Sequence, residues 1–107
     1  MPKRLTDKER LLREIPEKAF MEQIREIAIV SGWMTYHTHN SQRSEPGWPD
    51  LALYKDRRLV FIETKRQIGR VTPEQQTWID ALNTVDGAVQ AYVFRPSDWD
   101  QINEVLL

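Results

Sequence analysis

Between positions 50 and 65 the chain carries two carboxylates and an ammonium, Asp50, Glu63 and Lys65, set at the ends of apolar runs. Residues 50–54 and 59–65 read as two strands around a polar turn at 55–58. If the turn pairs Lys55 with Arg58, Asp50 lies directly across from Glu63, with about 5 Å between Cβ atoms. Side chains alternate with a period of two, so Lys65 projects from the face of Glu63. A one-residue change in the turn would send Asp50 to the other face. Two facing carboxylates repel each other unless a cation joins them, and oxygen ligands of this kind suit Mg²⁺ or Mn²⁺. Such an ion polarises a phosphate and lowers the pKa of a bound water, while the ammonium positions that water or stabilises charge growing in the transition state. The chemistry indicated is phosphodiester hydrolysis. An E-x-K triplet by itself is common on exposed edge strands. Val60, Phe61 and Ile62, however, mark a buried strand, where ionisable groups are costly unless paired or metal-bound.

The elements that must position these groups follow from the pattern around them. Thr6 and Glu9 have capping-box spacing, which predicts a short polar helix over 7–14. Pro16 suits a first helical position, and Phe20, Ile24, Ile27 and Ala28 recur at helical spacing, predicting a helix over 16–30 that Ser31 and Gly32 stop. The aromatic and β-branched segment 33–39 reads as a strand, and 40–49, full of turn formers, as a loop. A loop at 67–71 leads to Thr72-Pro73-Glu74-Gln75, a second capping box, and a helix to about 83. Residues 88–94 make the last strand, and Ser97 is placed to cap a final helix with Trp99, Ile102, Val105 and Leu106 along one stripe. Apolar residues at both parities of the central strands predict a sheet covered on both faces. The order implies an α/β domain with a central mixed sheet flanked by helices, antiparallel at the hairpin and parallel across the helix that follows Lys65.

A length of 107 residues fits a single domain, with 1–15 a peripheral helical segment. No apolar run approaches the roughly 20 residues of a membrane span, so no membrane role is expected. The N-terminal segment is charged where a secretory signal is apolar, and the chain has no cysteine, which predicts a cytoplasmic protein without disulfides, zinc thiolates or a cysteine nucleophile. A net charge of −1 is unusual for a nucleic-acid partner. Its distribution is more permissive: six basic residues (Lys55, Arg57, Arg58, Lys65, Arg66, Arg70) stand against Asp56 and Glu63, a local excess of four, as a solvated hairpin rim would also give.

Gly47-Trp48-Pro49-Asp50-Leu51, then Phe61-Ile62-Glu63-Thr64-Lys65, then Thr72-Pro73-Glu74-Gln75 with Trp78-Ile79, resembles the VRR-NUC family of PD-(D/E)xK nucleases over most of the chain from about residue 17. The likeness is to the small standalone members of phages and bacteria. It implies a restriction-endonuclease-like fold, dependence on Mg²⁺ or Mn²⁺, cleavage of branched DNA such as Holliday junctions, and a homodimer. By position it makes Asp50 and Glu63 metal ligands, Lys65 the catalytic lysine and Gln75 the family glutamine, although Gln75 can equally complete a capping box, or do both. The family's helix carboxylate has four candidates, Glu14, Glu17, Glu22 and Glu26. Glu17, which shares the face of Phe20, Ile24 and Ala28 whereas Glu22 does not, is the expected helix carboxylate and a third metal ligand, although an acidic residue there also suits the helix dipole.

His37 and His39 share a strand face, but two histidines without further ligands are more often structural or substrate-facing. His39, Arg43 and Ser44, on the loop leading into Asp50, are candidates for contact with the DNA backbone, together with Arg66 and Arg70. The four tryptophans read as packing anchors, with Trp48 the one nearest the motif. The competing function is a noncatalytic DNA-binding module with the same fold.

Overall fold

The hairpin that carries the motif is set by its turn. In the computed structural model, which describes residues 4–38 and 45–107, Asp56 and Arg57 both take positive φ, 48° and 68°. This left-handed backbone is what a two-residue primed turn needs to match the twist of its strands. It joins β2 (Leu51–Lys55) to β3 (Arg58–Thr64) in the register Lys55↔Arg58 through Leu51↔Ile62, the pairing expected from the sequence. β1 (Met34–His37) is antiparallel to β2, and β4 (Val89–Phe94) is parallel to β3, giving a four-stranded mixed sheet in the order β1-β2-β3-β4.

Two helices close one face of this sheet. α2 (Glu17–Val30) buries Phe20, Ile24 and Ala28, and α4 (Trp99–Leu106) buries Ile102, Val105 and Leu106. They meet Leu51, Leu53, Val60, Ile62 and Phe94 from the sheet. Each fully buried side chain of this size contributes roughly 1.5–3 kcal/mol. Trp33 joins the same core and its indole N–H donates to the Leu106 carbonyl at 3.0 Å. Trp99 meets Phe20 edge-on.

The other face is covered by α3 (Pro73–Leu82), where Ile79 packs with Phe61 and Ala91. This cover reaches only β3 and β4. Across β1 and β2, Met34, Tyr36 and Tyr54 stay exposed, so the expectation of a sheet covered on both faces holds for half of it. The physical reason is width: a helix about 10 Å across spans two strands spaced ~4.8 Å apart. The outward edge of β4 is closed by Asn83, whose amide donates to the Ala91 carbonyl (3.0 Å) and accepts from the Ala91 N–H (2.8 Å).

Some boundaries differ from the sequence reading. The first strand is Met34–His37 rather than 33–39, and Asp50 lies in a bend before β2 rather than inside it. Pro16 is the residue before α2, not its first. Ser97 does not cap the last helix: Pro96–Asp98 form a 3₁₀ turn, and the Ser97 N–H donates to the Gln67 side chain at 3.0 Å. α1 (Asp7–Glu14) has its Thr6–Glu9 capping box and no buried residue.

Candidate active site

The hairpin ends where its two carboxylates begin. Asp50, in the bend, turns its Oδ2 to accept two hydrogen bonds from Thr64, one from the backbone N–H and one from the hydroxyl, each 2.8 Å. Thr64 is fully buried, so both donors are fixed. Glu63 precedes it on β3 and is only 3% exposed, on the face that α3 covers. Glu17 reaches the same end of the sheet from the first turn of α2, on the opposite side. One oxygen from each of Glu17, Asp50 and Glu63 lies within 4.8 Å of the others, the one such group of acidic and histidine side chains found among the described residues.

Two side chains hold Glu63 from the α3 side. Gln75 Nε2 donates to Glu63 Oε1 at 3.0 Å, and Lys65 Nζ stands 3.7 Å from the same oxygen. The Gln75 Oε1 meanwhile accepts from the Thr72 N–H at 2.9 Å, and the Gln75 N–H donates to Thr72 Oγ1 at 3.2 Å. One amide therefore completes the capping box and grips the carboxylate. Glu63 Oε2 is buried and, with the carboxylate ionised, meets no hydrogen-bond donor.

Electrostatics follow from that crowding. Burial, then the charge of Asp50, pushes the Glu63 carboxyl up to about 8 from its ordinary 4.5, with Lys65 pulling the other way. Glu17 is more open to solvent, yet desolvation at the site, followed by Asp50, also raises its carboxyl. Three convergent carboxylates, with the Glu63 and Glu17 carboxyls raised and one Glu63 oxygen buried, form an all-oxygen donor set that fits a hard divalent cation.

A cavity of about 110 Å³ opens on this row, walled by Thr38, Glu45, Gly47 and Trp48 besides Asp50, Glu63 and Gln75. Its loop is fastened to α3. The Trp78 indole N–H donates to the Pro46 carbonyl at 3.2 Å, and Trp48 meets Trp78 and Phe61 edge-on. Gly47, at φ 87°, sits so near α3 that an added Cβ would lie 2.4 Å from the Glu74 carbonyl carbon. Only glycine fits there. The loop that delivers Asp50 and the helix that delivers Gln75 are thus joined directly.

Of the other residues singled out from sequence, Glu22 pairs with Arg25 at 3.6 Å and is not part of the carboxylate group. The Arg66 guanidinium donates to the Arg13 carbonyl at the end of α1, at 2.9 Å, and Arg70 is exposed. His39, Arg43 and Ser44 lie outside the described residues. Of the basic hairpin cluster, Lys55 donates to the Ser31 carbonyl at 2.6 Å, and Arg58 sits over the Trp33 ring and bonds Gln90. Sequence reasoning passed over Thr64, Glu45 and the fastening through Gly47 and Trp78. The threonine between the motif's glutamate and lysine was the available signal for the first.

The VRR-NUC domain family model matches residues 3–95, most of the chain. The chain belongs to the VRR-NUC family. Its mixed sheet flanked by helices is accordingly the restriction-endonuclease-like fold of that nuclease family. Comparison with curated proteins and with solved structures gives no match. In this VRR-NUC domain Asp50, Glu63 and Lys65 stand together at one end of the sheet, and among the described residues no helix is long and apolar enough to cross a membrane.

Proposed function

We propose that this chain is a divalent-metal-dependent endonuclease that hydrolyses DNA phosphodiester bonds, acting as a homodimer on branched DNA such as Holliday junctions. In this reading Asp50, Glu63 and Glu17 hold Mg²⁺ or Mn²⁺, Lys65 is the catalytic lysine, and Gln75 fixes the carboxylate of Glu63. The observation that carries it is the convergence of three carboxylates within 4.8 Å around the buried Glu63. A noncatalytic module gains nothing from such an arrangement, because three crowded carboxyl groups, one of them buried, destabilise it whenever they ionise.

A divalent cation held by Asp50, Glu63 and Glu17 would supply Lewis-acid polarisation of the scissile phosphate. Thr64 keeps one oxygen of Asp50 occupied, so the other remains to ligate. Gln75 does the same for Glu63, occupying Oε1 and leaving Oε2. Lys65, beside Glu63, offers ammonium donors to negative charge that grows on the phosphate oxygens in the transition state. A symmetric junction has two strands to cut, and a dimer with a two-fold axis presents one centre to each.

The test is a panel of labelled duplex, single-stranded, flap, splayed-arm and four-way DNAs, each incubated with Mg²⁺, Mn²⁺ or chelator. Metal-dependent cutting that favours the branched substrates is expected. No cutting of any substrate with either metal would overturn the reading.

A further inference from the structure

Paired residues of a sheet share a face, and the pairings here arrange the α3 face in rows. Tyr36, Ala52, Phe61 and Ala91 form one row, and Met34, Tyr54, Leu59 and Val89 the next. One step the other way come Thr38 and Asp50, linked by the Thr38 N–H to Asp50 carbonyl bond of 3.0 Å, with Glu63 paired to Val93. The carboxylates and the two apolar rows are therefore successive rows of one surface, about 7 Å apart.

α3 and Trp48 cover the part of this surface around Phe61 and Ala91. Over β1 and β2, Met34, Tyr36 and Tyr54 are 70%, 62% and 45% exposed. They surround a shallow cavity of about 240 Å³ floored by Ala52 and Leu59. Thr38, two residues beyond Tyr36, lines the cavity at the carboxylates, so the two hollows adjoin. Tyr36 and Tyr54 are diagonal neighbours, which sets them roughly 7–8 Å apart, with their Cβ atoms somewhat closer.

We propose that Tyr36 and Tyr54 form a stacking platform for unpaired nucleobases of the strand whose phosphate lies at Asp50 and Glu63. The inference rests on the nuclease reading and specifies its substrate. Three features favour this occupant. The platform continues directly into the carboxylate pocket, it offers flat aromatic rings, and its cavity falls below the roughly 300 Å³ where small-molecule pockets begin, a size for a base. Aromatic side chains on an open sheet face are a recurrent way of stacking unpaired bases, tolerant of sequence because every base has a π-face. A blunt duplex keeps its bases inside and cannot use the platform. Branch points and splayed arms can, which gives structure selectivity without a recognition domain.

Tyr36→Ala, Tyr36→Phe and Tyr54→Ala in the full chain test this. With Mn²⁺, Tyr36→Ala is expected to raise KM for splayed-arm DNA by about 5- to 150-fold, the effect of losing one base stack. Discrimination against blunt duplex shrinks by the same factor, and Tyr36→Phe, which keeps the ring, restores both. Tyr54→Ala gives a loss of the same kind, which guards against a folding defect peculiar to one variant. Equal losses on both substrates, no loss, or conversion of a wild-type dimer to monomer by Tyr36→Ala would overturn the platform, the last because a second copy would then be what covers the face. Binding of labelled oligothymidine in chelator separates the two readings. If the wild type cuts nothing, but this binding is weakened by Tyr36→Ala and restored by Tyr36→Phe, the nuclease reading fails and the platform stands. Intact cutting with unchanged binding and KM sinks the platform alone.

Discussion

Replacing Glu63 by glutamine should abolish cleavage yet make the metal-free protein more stable at alkaline pH. In the folded protein the Glu63 carboxyl is pushed up to about 8, because it is 3% exposed and faces Asp50. An unfolded chain titrates it at its ordinary 4.5. Below that value both states carry the proton and there is no penalty. Between 4.5 and 8 the folded state retains a proton that the unfolded state has released, so stability falls as pH rises, and above 8 the loss is complete. At 1.36 kcal/mol per pH unit the ceiling is about 5 kcal/mol, and relaxation of Lys65 and entry of water into the adjoining cavity reduce it to a few kcal/mol. Glutamine copies the neutral acid, and its amide can still accept from Gln75 while donating to Asp50 or Glu17. Urea denaturation in chelator at pH 5.5 and pH 8 measures this. The wild type should lose a few kcal/mol between the two, Glu63→Gln should lose much less, and Mn²⁺ should restore the wild type alone. Equal pH dependence in both proteins would refute the reasoning, because it would place the titrating group elsewhere.

Thr64→Val removes the hydroxyl bond to Asp50 but leaves the backbone one, so Mn²⁺ affinity measured by calorimetry should fall roughly 10- to 100-fold, with Thr64→Ser retaining most of it. Gly47→Ala, which forces a Cβ onto the α3 backbone at a positive φ, should lower stability by about 1–3 kcal/mol in thermal unfolding and weaken metal binding as Asp50 and Gln75 are pushed apart. Changing Asp56 to Asn and Arg57 to Gly together, at the two left-handed positions of the hairpin turn, should raise stability by roughly 1 kcal/mol without altering cleavage.

Much of this geometry is written locally and could be read from sequence. A two-residue turn and a period of two fix which residues oppose each other, so the Lys55↔Arg58 register followed from the polar tip of the hairpin. Helical periodicity separated Glu17 from Glu22, and Thr72-Pro73-Glu74-Gln75 announced the cap whose glutamine also reaches Glu63. What escaped depends on contacts distant in sequence. The hydroxyl of Thr64 matters because Asp50 bends out of the strand to meet it, and Gly47 because α3, some 27 residues later, passes within touching distance. Ser97 has the composition of a cap, but Pro96 opens a 3₁₀ turn and Gln67 takes the Ser97 N–H. Apolar residues at both parities of β2 and β3 signalled two covered faces, yet composition could not say that one ten-residue helix covers only half of the second.

The central claim is that Asp50, Glu63 and Lys65 act together on one phosphate. Cleavage of a labelled four-way junction by Lys65→Ala, followed with Mg²⁺ and with Mn²⁺ at a temperature where its unfolding curve matches that of the wild type, tests it most directly. Loss of at least a hundredfold in rate with the fold intact is the predicted result; a variant that folds and cuts at the wild-type rate would contradict it.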